Sequence, residues 1–340
     1  MGIPRAFRCA GGKERLMKVL ITGASGLLGS STARALIAQG HEVTTLQRRP
    51  SGVEGARDIQ GSVTDIETVD RAVAGQDALI HMAAKVSMVG APEEFEKVNI
   101  EGTANIVARA QQAGIGRMVH ISSPSVAHSG DSLVGDGAGP ADPEAARGEY
   151  ARTKAAGERV ALAASHDEFR VLALRPHLMW GPGEPQLTER IIDRAAQGRL
   201  PLLGSGLAMV DTLYIDNAVD AIVAALSAVE HTHGMALVVT NGQPRPIGEL
   251  MRRIAVAGGS AEPTLRVPVG AAKVAGKVIE KVWTAGDFDD EPPITEFLAE
   301  QLSTAHWFDQ RTTHSVLNWT PAVSIEEGLR RVAAHYGGTA

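Results

Sequence analysis

Lys18-Val-Leu-Ile-Thr22 runs directly into Gly23-Ala-Ser-Gly-Leu-Leu-Gly29, and this join decides the fold. The first five residues read as a short buried strand. Helical periodicity follows through Ala33, Leu36 and Ile37 and stops at Gly40, a residue suited to end a helix. A second strand over Glu42 to Leu46 completes a β-α-β unit. Between strand and helix, each glycine has a distinct task. Gly23 permits the tight turn, Gly26 lets the backbone approach a pyrophosphate, and Gly29 allows close helix–strand packing. The helix N-terminus beyond offers amide donors and the positive end of a dipole to phosphates. The stretch predicts a dinucleotide-binding unit.

The end of the second strand selects the dinucleotide. An NAD site usually places a carboxylate there to hold the ribose hydroxyls. Here Gln47, Arg48 and Arg49 stand instead, and two guanidiniums suit a ribose 2′-phosphate. NADP(H) is favoured, with NAD(H) left open. Beyond this point strands and helices keep alternating. Asp58 to Val63, Asp77 to His81, Arg117 to Ser122 and Glu168 to Leu174 read as strands. Ile66 to Ala74 and Pro92 to Ala113 read as helices. The expected fold class is α/β, a doubly wound parallel Rossmann sheet with a smaller C-terminal α/β substrate-binding domain.

Downstream, Tyr150 and Lys154 lie four residues apart in Glu149-Tyr-Ala-Arg-Thr-Lys154, so a helix puts both on one face. Such a pair also occurs on any solvated helix. A Lys ammonium one turn away favours the phenolate and lowers a pKa otherwise near ~10. A phenol tuned in this way gives or takes a proton while hydride moves at a neighbouring carbonyl carbon. Ser122-Ser123-Pro124-Ser125 closes its strand at the carboxyl end, where ligands bind in open α/β sheets. A Ser hydroxyl there can donate to a substrate carbonyl while accepting from Tyr150. Small Ala83 and Ala84 end the strand at His81 and leave room for a cofactor. The Gly-, Pro- and Asp-rich stretch from Ala127 to Gly148 reads as a loop that can act as a lid.

After Arg175-Pro176, Trp180 to Gly183 breaks regular structure and Gln186 to Ala196 reads as an amphipathic helix. Gly198 to Leu207 is expected to be loop and Asp211 to Ile215 extended. Asp216 is the expected cap of a helix to Val229. Ala236 to Thr240 is a strand, Ile247 to Ala257 a helix, and Ser324-Ile-Glu-Glu327 a capping-box start to the last helix. Lys273, Lys277 and Lys281 form a basic row opposite Val274, Val278, Ile279 and Val282. A solvated face is the expected reading, with contact to a membrane surface the alternative.

Totals narrow the class further. At 340 residues the chain can bury a large α/β core plus a smaller one. A net charge of −6 gives no reason to expect nucleic acid as partner. The single Cys9 excludes an internal disulfide and any Cys-based metal cluster. No metal site is expected, because the His residues lack ligand spacing. With no apolar span or secretory h-region, cytoplasm is the expected location. Residues 1–16 read as a disordered leader. Residues 17–182 and 208–240 are expected to form the dinucleotide-binding domain, and 183–207 with 241–337 the substrate-binding domain.

As a set, Thr22-Gly-Ala-Ser-Gly-Leu-Leu-Gly29, Ser122-Ser123 and Tyr150-x-x-x-Lys154 resemble the extended short-chain dehydrogenase/reductase family over Lys18 to about Tyr336. Ile121-Ser-Ser-Pro-Ser-Val126, Leu174-Arg-Pro-His-Leu-Met-Trp-Gly-Pro-Gly183 and Val210-Asp-Thr-Leu-Tyr-Ile-Asp-Asn217 look like one branch of it. That branch holds 3β-hydroxysteroid dehydrogenases and 2-alkyl-3-oxoalkanoate reductases. The resemblance implies Tyr150 as acid/base, Lys154 as its modulator and ribose anchor, and Ser123, not Ser122, as the carbonyl-polarising hydroxyl. It further implies dinucleotide contacts from Gly23, Ser25, Gly26, Leu27, Leu28, Gly29, Arg48, Ser62, Val63, Ala83, Ala84, Asn99, Ser122 and Pro176, besides Tyr150 and Lys154. Ser62 departs from the family, in which an Asp often contacts adenine. The implied activity is hydride transfer between a nicotinamide and a carbonyl or secondary alcohol of a lipophilic small molecule, and the implied assembly is a homodimer through the long helices. A nucleotide-sugar epimerase or dehydratase is the alternative, with Arg190, Arg194 and Arg199 as candidate diphosphate ligands against the apolar Leu200, Leu202, Leu203, Leu207 and Met209. A noncatalytic NADP sensor is the second alternative.

Overall fold

The computed structural model describes residues 16–87, 90–128, 130–286, 292 and 294–339. Residues 1–15 of the expected leader fall outside that range. Seven parallel strands form the main sheet: β1 Lys18–Thr22, β2 Glu42–Gln47, β3 Arg57–Gln60, β4 Ala78–His81, β5 Arg117–Ile121, β6 Arg170–Pro176 and β7 Met235–Val239. Their order is β7-β6-β5-β4-β1-β2-β3. The chain therefore winds outward from β1 in one direction and returns to wind in the other. The carboxyl ends of β1 and β4 flank the reversal, where open α/β sheets bind ligands.

Residue alternation assigns the two faces. Val19 and Ile21 of β1, Val119 of β5 and Leu172 and Leu174 of β6 share one buried cluster with α1 (Leu27–Ala38). Leu20, Met118 and Val171 pack on the other side with α2 (Ile66–Val73) and with the long helix α3. Helix α3 is continuous from Pro92–Phe95 through a π turn, Glu96–Glu101, to Gly102–Gln112. Next comes α4 (Gly148–Ala163), which carries Tyr150 and Lys154.

A second apolar cluster joins Trp180 and Tyr214 to α5 (Thr188–Ala196), α7 (Ile247–Ala257) and α11 (Ile325–Tyr336). Between α5 and α7 runs α6 (Ile215–Ala228), which packs instead on the main sheet. The C-terminal part also holds α8 (Val269–Ala285), α9 (Glu296–Gln301) and α10 (Arg311–Leu317).

Several expectations shift. The stretch from Ala127 to Gly148 is not all loop, since Leu133–Asp136 is a strand parallel to His306–Phe308. It forms the edge of a four-stranded sheet with Met209–Val210 and Arg245–Pro246. Its partner is so distant in sequence that no local pattern announces the pairing. Leu202–Leu203, expected as loop, likewise pairs with Arg266–Val267. The strand expected over Asp58 to Val63 ends at Gln60, and that expected over Glu168 to Leu174 is shifted to Arg170–Pro176. Asp216 does not cap α6. Tyr214 holds the cap position, while Asp216 sits in the first turn and pairs with Arg331 at 2.8 Å.

The basic helix α8 also differs from its sequence reading. Lys277 and Lys281 are exposed as expected, but Lys273 bonds the buried Glu300 at 3.2 Å, and Val274, Val278 and Val282 are exposed as well. Small residues explain this face choice. A Cβ on Gly276 would lie 2.5 Å from the Thr295 carbonyl carbon, so α8 meets α9 through Ala272 and Gly276. Among the described residues no helix is long and apolar enough to cross a membrane, and no three His, Cys, Asp or Glu are placed to hold a metal ion.

Candidate active site

The Gly-rich turn needs glycine at two of its positions for its own packing and leaves open space at the third. Gly23 has φ +82°, and a Cβ there would lie 2.9 Å from the Ala83 amide nitrogen. A Cβ on Gly29 would lie 2.6 Å from the Gly23 carbonyl oxygen, so only glycine lets α1 sit this close to β1. Gly26 has an ordinary backbone conformation, and its Cβ would meet nothing nearer than 3.7 Å. Gly26 and Ser25 are exposed, whereas Leu27 and Leu28 are half-buried against the second cluster. No protein atom requires glycine at 26. A pyrophosphate lying against the backbone there would, and in this respect the residues present fit a dinucleotide.

At the end of β2, Gln47 is buried, with Nε2 donating to the Thr45 hydroxyl and Oε1 left without a partner. Arg48 and Arg49 are exposed. Asp58 accepts from the Ser51 amide and hydroxyl at 2.8 and 2.6 Å and from Thr45 at 2.5 Å, which ties down the turn carrying the arginines. These hydrogen bonds hold the Asp58 carboxyl below its usual pKa, outweighing the opposing effect of burial. Ser62 is half-buried and bonds Thr64 at 2.8 Å. Val63 packs its side chain into the core, against the position where Gly102 lacks a Cβ. Ala83 and Ala84 follow β4, and the Ala83 amide donates to Thr22 Oγ1 at 3.1 Å. Pro176 ends β6, half-buried.

On the catalytic side, Ser123 caps a single turn of 3-10 helix, Pro124–Ala127. Its Oγ lies 2.9 Å from Ser125 Oγ, and the hydroxyl is near enough to the Tyr150 phenol to act on its pKa. The Ser122 hydroxyl is buried without a partner, so of the two serines Ser123 reaches the phenol. Burial pushes the Tyr150 phenol above its ordinary pKa, partly offset by the Ser123 hydroxyl. This corrects the expectation that Lys154 would lower it. The Lys154 ammonium instead donates to the Ile121 carbonyl at 2.5 Å, and burial brings its own pKa down to about 8, with Glu158 acting in the opposite sense.

Asn99 sits in the π turn of α3, where such irregular turns are frequent near functional sites. Its Oδ1 accepts from the Lys85 amide at 2.8 Å, and its Nδ2 donates to the Lys85 carbonyl and the Thr153 hydroxyl. The side chain is a strut between the loop after β4 and the catalytic helix, with its amide already engaged. His81 and His120 face each other across β4 and β5 and are held neutral by burial. Sequence reasoning missed three participants: Ser125, Thr153 and Glu158. Glu158 had a legible signal, since it continues the four-residue spacing of Tyr150 and Lys154.

Fold and relatives together define a nicotinamide-dependent oxidoreductase. The chain belongs to the NAD dependent epimerase/dehydratase family, which matches residues 19–239. It is 40% identical to a 2-alkyl-3-oxoalkanoate reductase of Stenotrophomonas maltophilia, over 94% of this chain and 99% of that protein. It is 28% identical to a 3-beta-hydroxysteroid dehydrogenase of Mycolicibacterium neoaurum, over 94% and 92% of the two. A dTDP-glucose 4,6-dehydratase from Streptomyces venezuelae, solved with NAD, shares the fold at TM-score 0.73 and 22% identity, covering 94% of this chain and 97% of its own.

Proposed function

We propose that this chain is a reductase that uses NADP(H) and acts on the ketone of a lipophilic substrate of the 2-alkyl-3-oxo acid type, or on the related 3β-hydroxysteroid. The observation that carries the reading is the buried Tyr150 phenol with the Ser123 hydroxyl near enough to lower its pKa, one helical turn from a buried lysine. The 2-alkyl-3-oxoalkanoate relative supports the substrate class. When bound, the dinucleotide supplies or accepts the hydride. Gly23 to Gly29 would hold its pyrophosphate, and Arg48 and Arg49 its 2′-phosphate. The chain's own part is to seat a carbonyl oxygen between the hydroxyls of Ser123 and Tyr150 and to deliver a proton from the phenolic oxygen. With its pKa raised, the phenol is protonated at neutral pH, the form that reduction needs. The substrate would lie between the carboxyl ends of the sheet and the part formed by residues 183–207 and 241–337. A homodimer through α3 and α4 belongs to the same reading.

A screen of 2-alkyl-3-oxo acids and 3-ketosteroids with NADPH and with NADH tests this reading, and failure to reduce any of them rejects it. The cofactor half has its own check. Replacing Arg48 and Arg49 together by Ala removes charge-assisted bonds, which should weaken NADPH binding about tenfold. NADH binding should stay unchanged, and equal effects on both would remove the basis for NADP selectivity.

One observation favours a second reading, an epimerase or dehydratase of nucleotide sugars. Arg190 and Arg194 lie one turn apart on α5, both half-buried. Burial first, and then the neighbouring Arg190, hold the Arg194 guanidinium below its usual pKa. A diphosphate would relieve that crowding of charge. Competition separates the readings: a UDP-sugar that displaces the oxo acid from the enzyme–NADPH complex would favour the second.

A further inference from the structure

Tyr150, Lys154 and Glu158 occupy successive turns of α4, and the third of them is a buried acid. Its partner is Arg175 near the end of β6. Nε donates to Oε2 at 2.9 Å and Nη2 to Oε1 at 2.5 Å, with both side chains 1% exposed. The remaining arm of the guanidinium, Nη1, donates to the carbonyl of Ala138, in the stretch from Ala127 to Gly148 expected to act as a lid. All three donor directions of one arginine are therefore used, two on the catalytic helix and one on the lid.

Burying two charges is costly, and a well-packed apolar pair of similar volume often serves stability as well or better. The placement shows what the ions add. Among the described residues, the titratable groups that act on Lys154 or feel its charge are Glu158 on its own helix and the neutral His120 and His81 on β5 and β4, with Tyr150 one turn away on the same helix. Glu158 is thus the one anion among them, opposing the desolvation of the ammonium. Lys154 in turn bonds the Ile121 carbonyl, two residues before Ser123.

We propose that Glu158 and Arg175 are positioning residues, a buried clamp that keeps Lys154 charged and in place and ties the catalytic helix to the lid at Ala138. The proposal rests on the reductase reading only for its kinetic consequence. Its primary test needs no substrate.

The test is the titration of Lys154 in the full-length protein, followed by NMR of lysine labelled at Cε and assigned with Lys154→Met. Removing the nearby anion disfavours the ammonium. In Glu158→Gln the midpoint should therefore fall from about 8 by about one pH unit. The alkaline limb of kcat/KM on an accepted substrate should move down in parallel, because the active protonated lysine is lost at lower pH. A folded Glu158→Gln protein with an unchanged midpoint overturns the proposal. If that variant does not fold, the charge-free Glu158→Met/Arg175→Met pair is read instead. There too the midpoint should fall, by less because the arginine's opposing charge is also gone, and a wild-type midpoint overturns the proposal. Arg175→Lys keeps the charge but loses the three-way fork. It should leave the Lys154 midpoint in place while speeding tryptic cleavage at Arg147, the one Lys or Arg between Ala127 and Gly148, and unchanged cleavage removes the link to that segment. A shifted midpoint in a protein that reduces no ketone would sink the reductase reading and leave the clamp standing.

Discussion

Tyr150→Phe is expected to lower kcat about 10²–10⁴-fold, the usual worth of a positioned general acid, while NADPH binding stays close to wild type. The substitution removes one oxygen and leaves the ring that packs beside Ser123. The bonds that organise the rest of the site do not pass through that oxygen. Lys154 is anchored on the Ile121 carbonyl, Thr153 on Asn99, and Ser123 keeps Ser125 as its partner. Loss should therefore appear in kcat and not in cofactor affinity, as expected when an interaction made only in the transition state is removed. The pH profile offers a second signature. Burial raises the phenol pKa, so in the wild type the first alkaline decline should be the one set by Lys154 near about 8, and a separate phenol-dependent decline should come only above the ordinary tyrosine value. In the variant the phenol-dependent decline should vanish, while the one set by Lys154 remains. Wild-type turnover on a proven ketone substrate would reject Tyr150 as the acid. Fluorescence titration of NADPH and steady-state rates across pH provide both measurements.

How far the site was legible in the sequence depended on how local each signal is. The strands around Lys18–Thr22 and Ala78–His81 carry their own apolar runs, and the Gly-rich turn names its neighbours, so main-sheet topology followed from pattern alone. The helical spacing of Tyr150 and Lys154 likewise needed no tertiary knowledge. What stayed hidden depends on distant partners. The strand Leu133–Asp136 exists because His306–Phe308 lies beside it, and nothing near residue 133 forecasts that. The direction of the Tyr150 pKa was also illegible. Spacing places an ammonium on the same helix face, but the Ile121 carbonyl claims it, and burial then governs the phenol. On α8, the alternation of lysines and valines suggested which face would turn inward. The small residues Ala272 and Gly276 decided otherwise, because close helix packing outweighs side-chain hydropathy where a Cβ would clash.

Gly26→Ala and Gly29→Ala, three residues apart in one motif, are expected to fail in different ways. At Gly29 the new methyl would sit 2.6 Å from the Gly23 carbonyl oxygen and 2.8 Å from Ala24 Cα. Both are backbone atoms of the strand–helix join and cannot rotate away. Overpacking of this kind costs about 1–3 kcal/mol, so the thermal midpoint should fall by several degrees even without ligand. At Gly26 the methyl meets no protein atom closer than 3.7 Å, and the backbone there is one that any residue adopts. Thermal stability should hold or rise slightly, since alanine restricts the unfolded chain. If the pyrophosphate lies against this backbone, the same methyl intrudes on it. At about 1–3 kcal/mol, the intrusion weakens dinucleotide binding about 5- to 150-fold. Calorimetric melting of the free proteins and titration with NADPH separate the two effects. A Gly26→Ala protein that binds NADPH as tightly as the wild type would show that the cofactor does not cross this turn. That result would remove the dinucleotide reading of the loop, even with every strand of the sheet where it is.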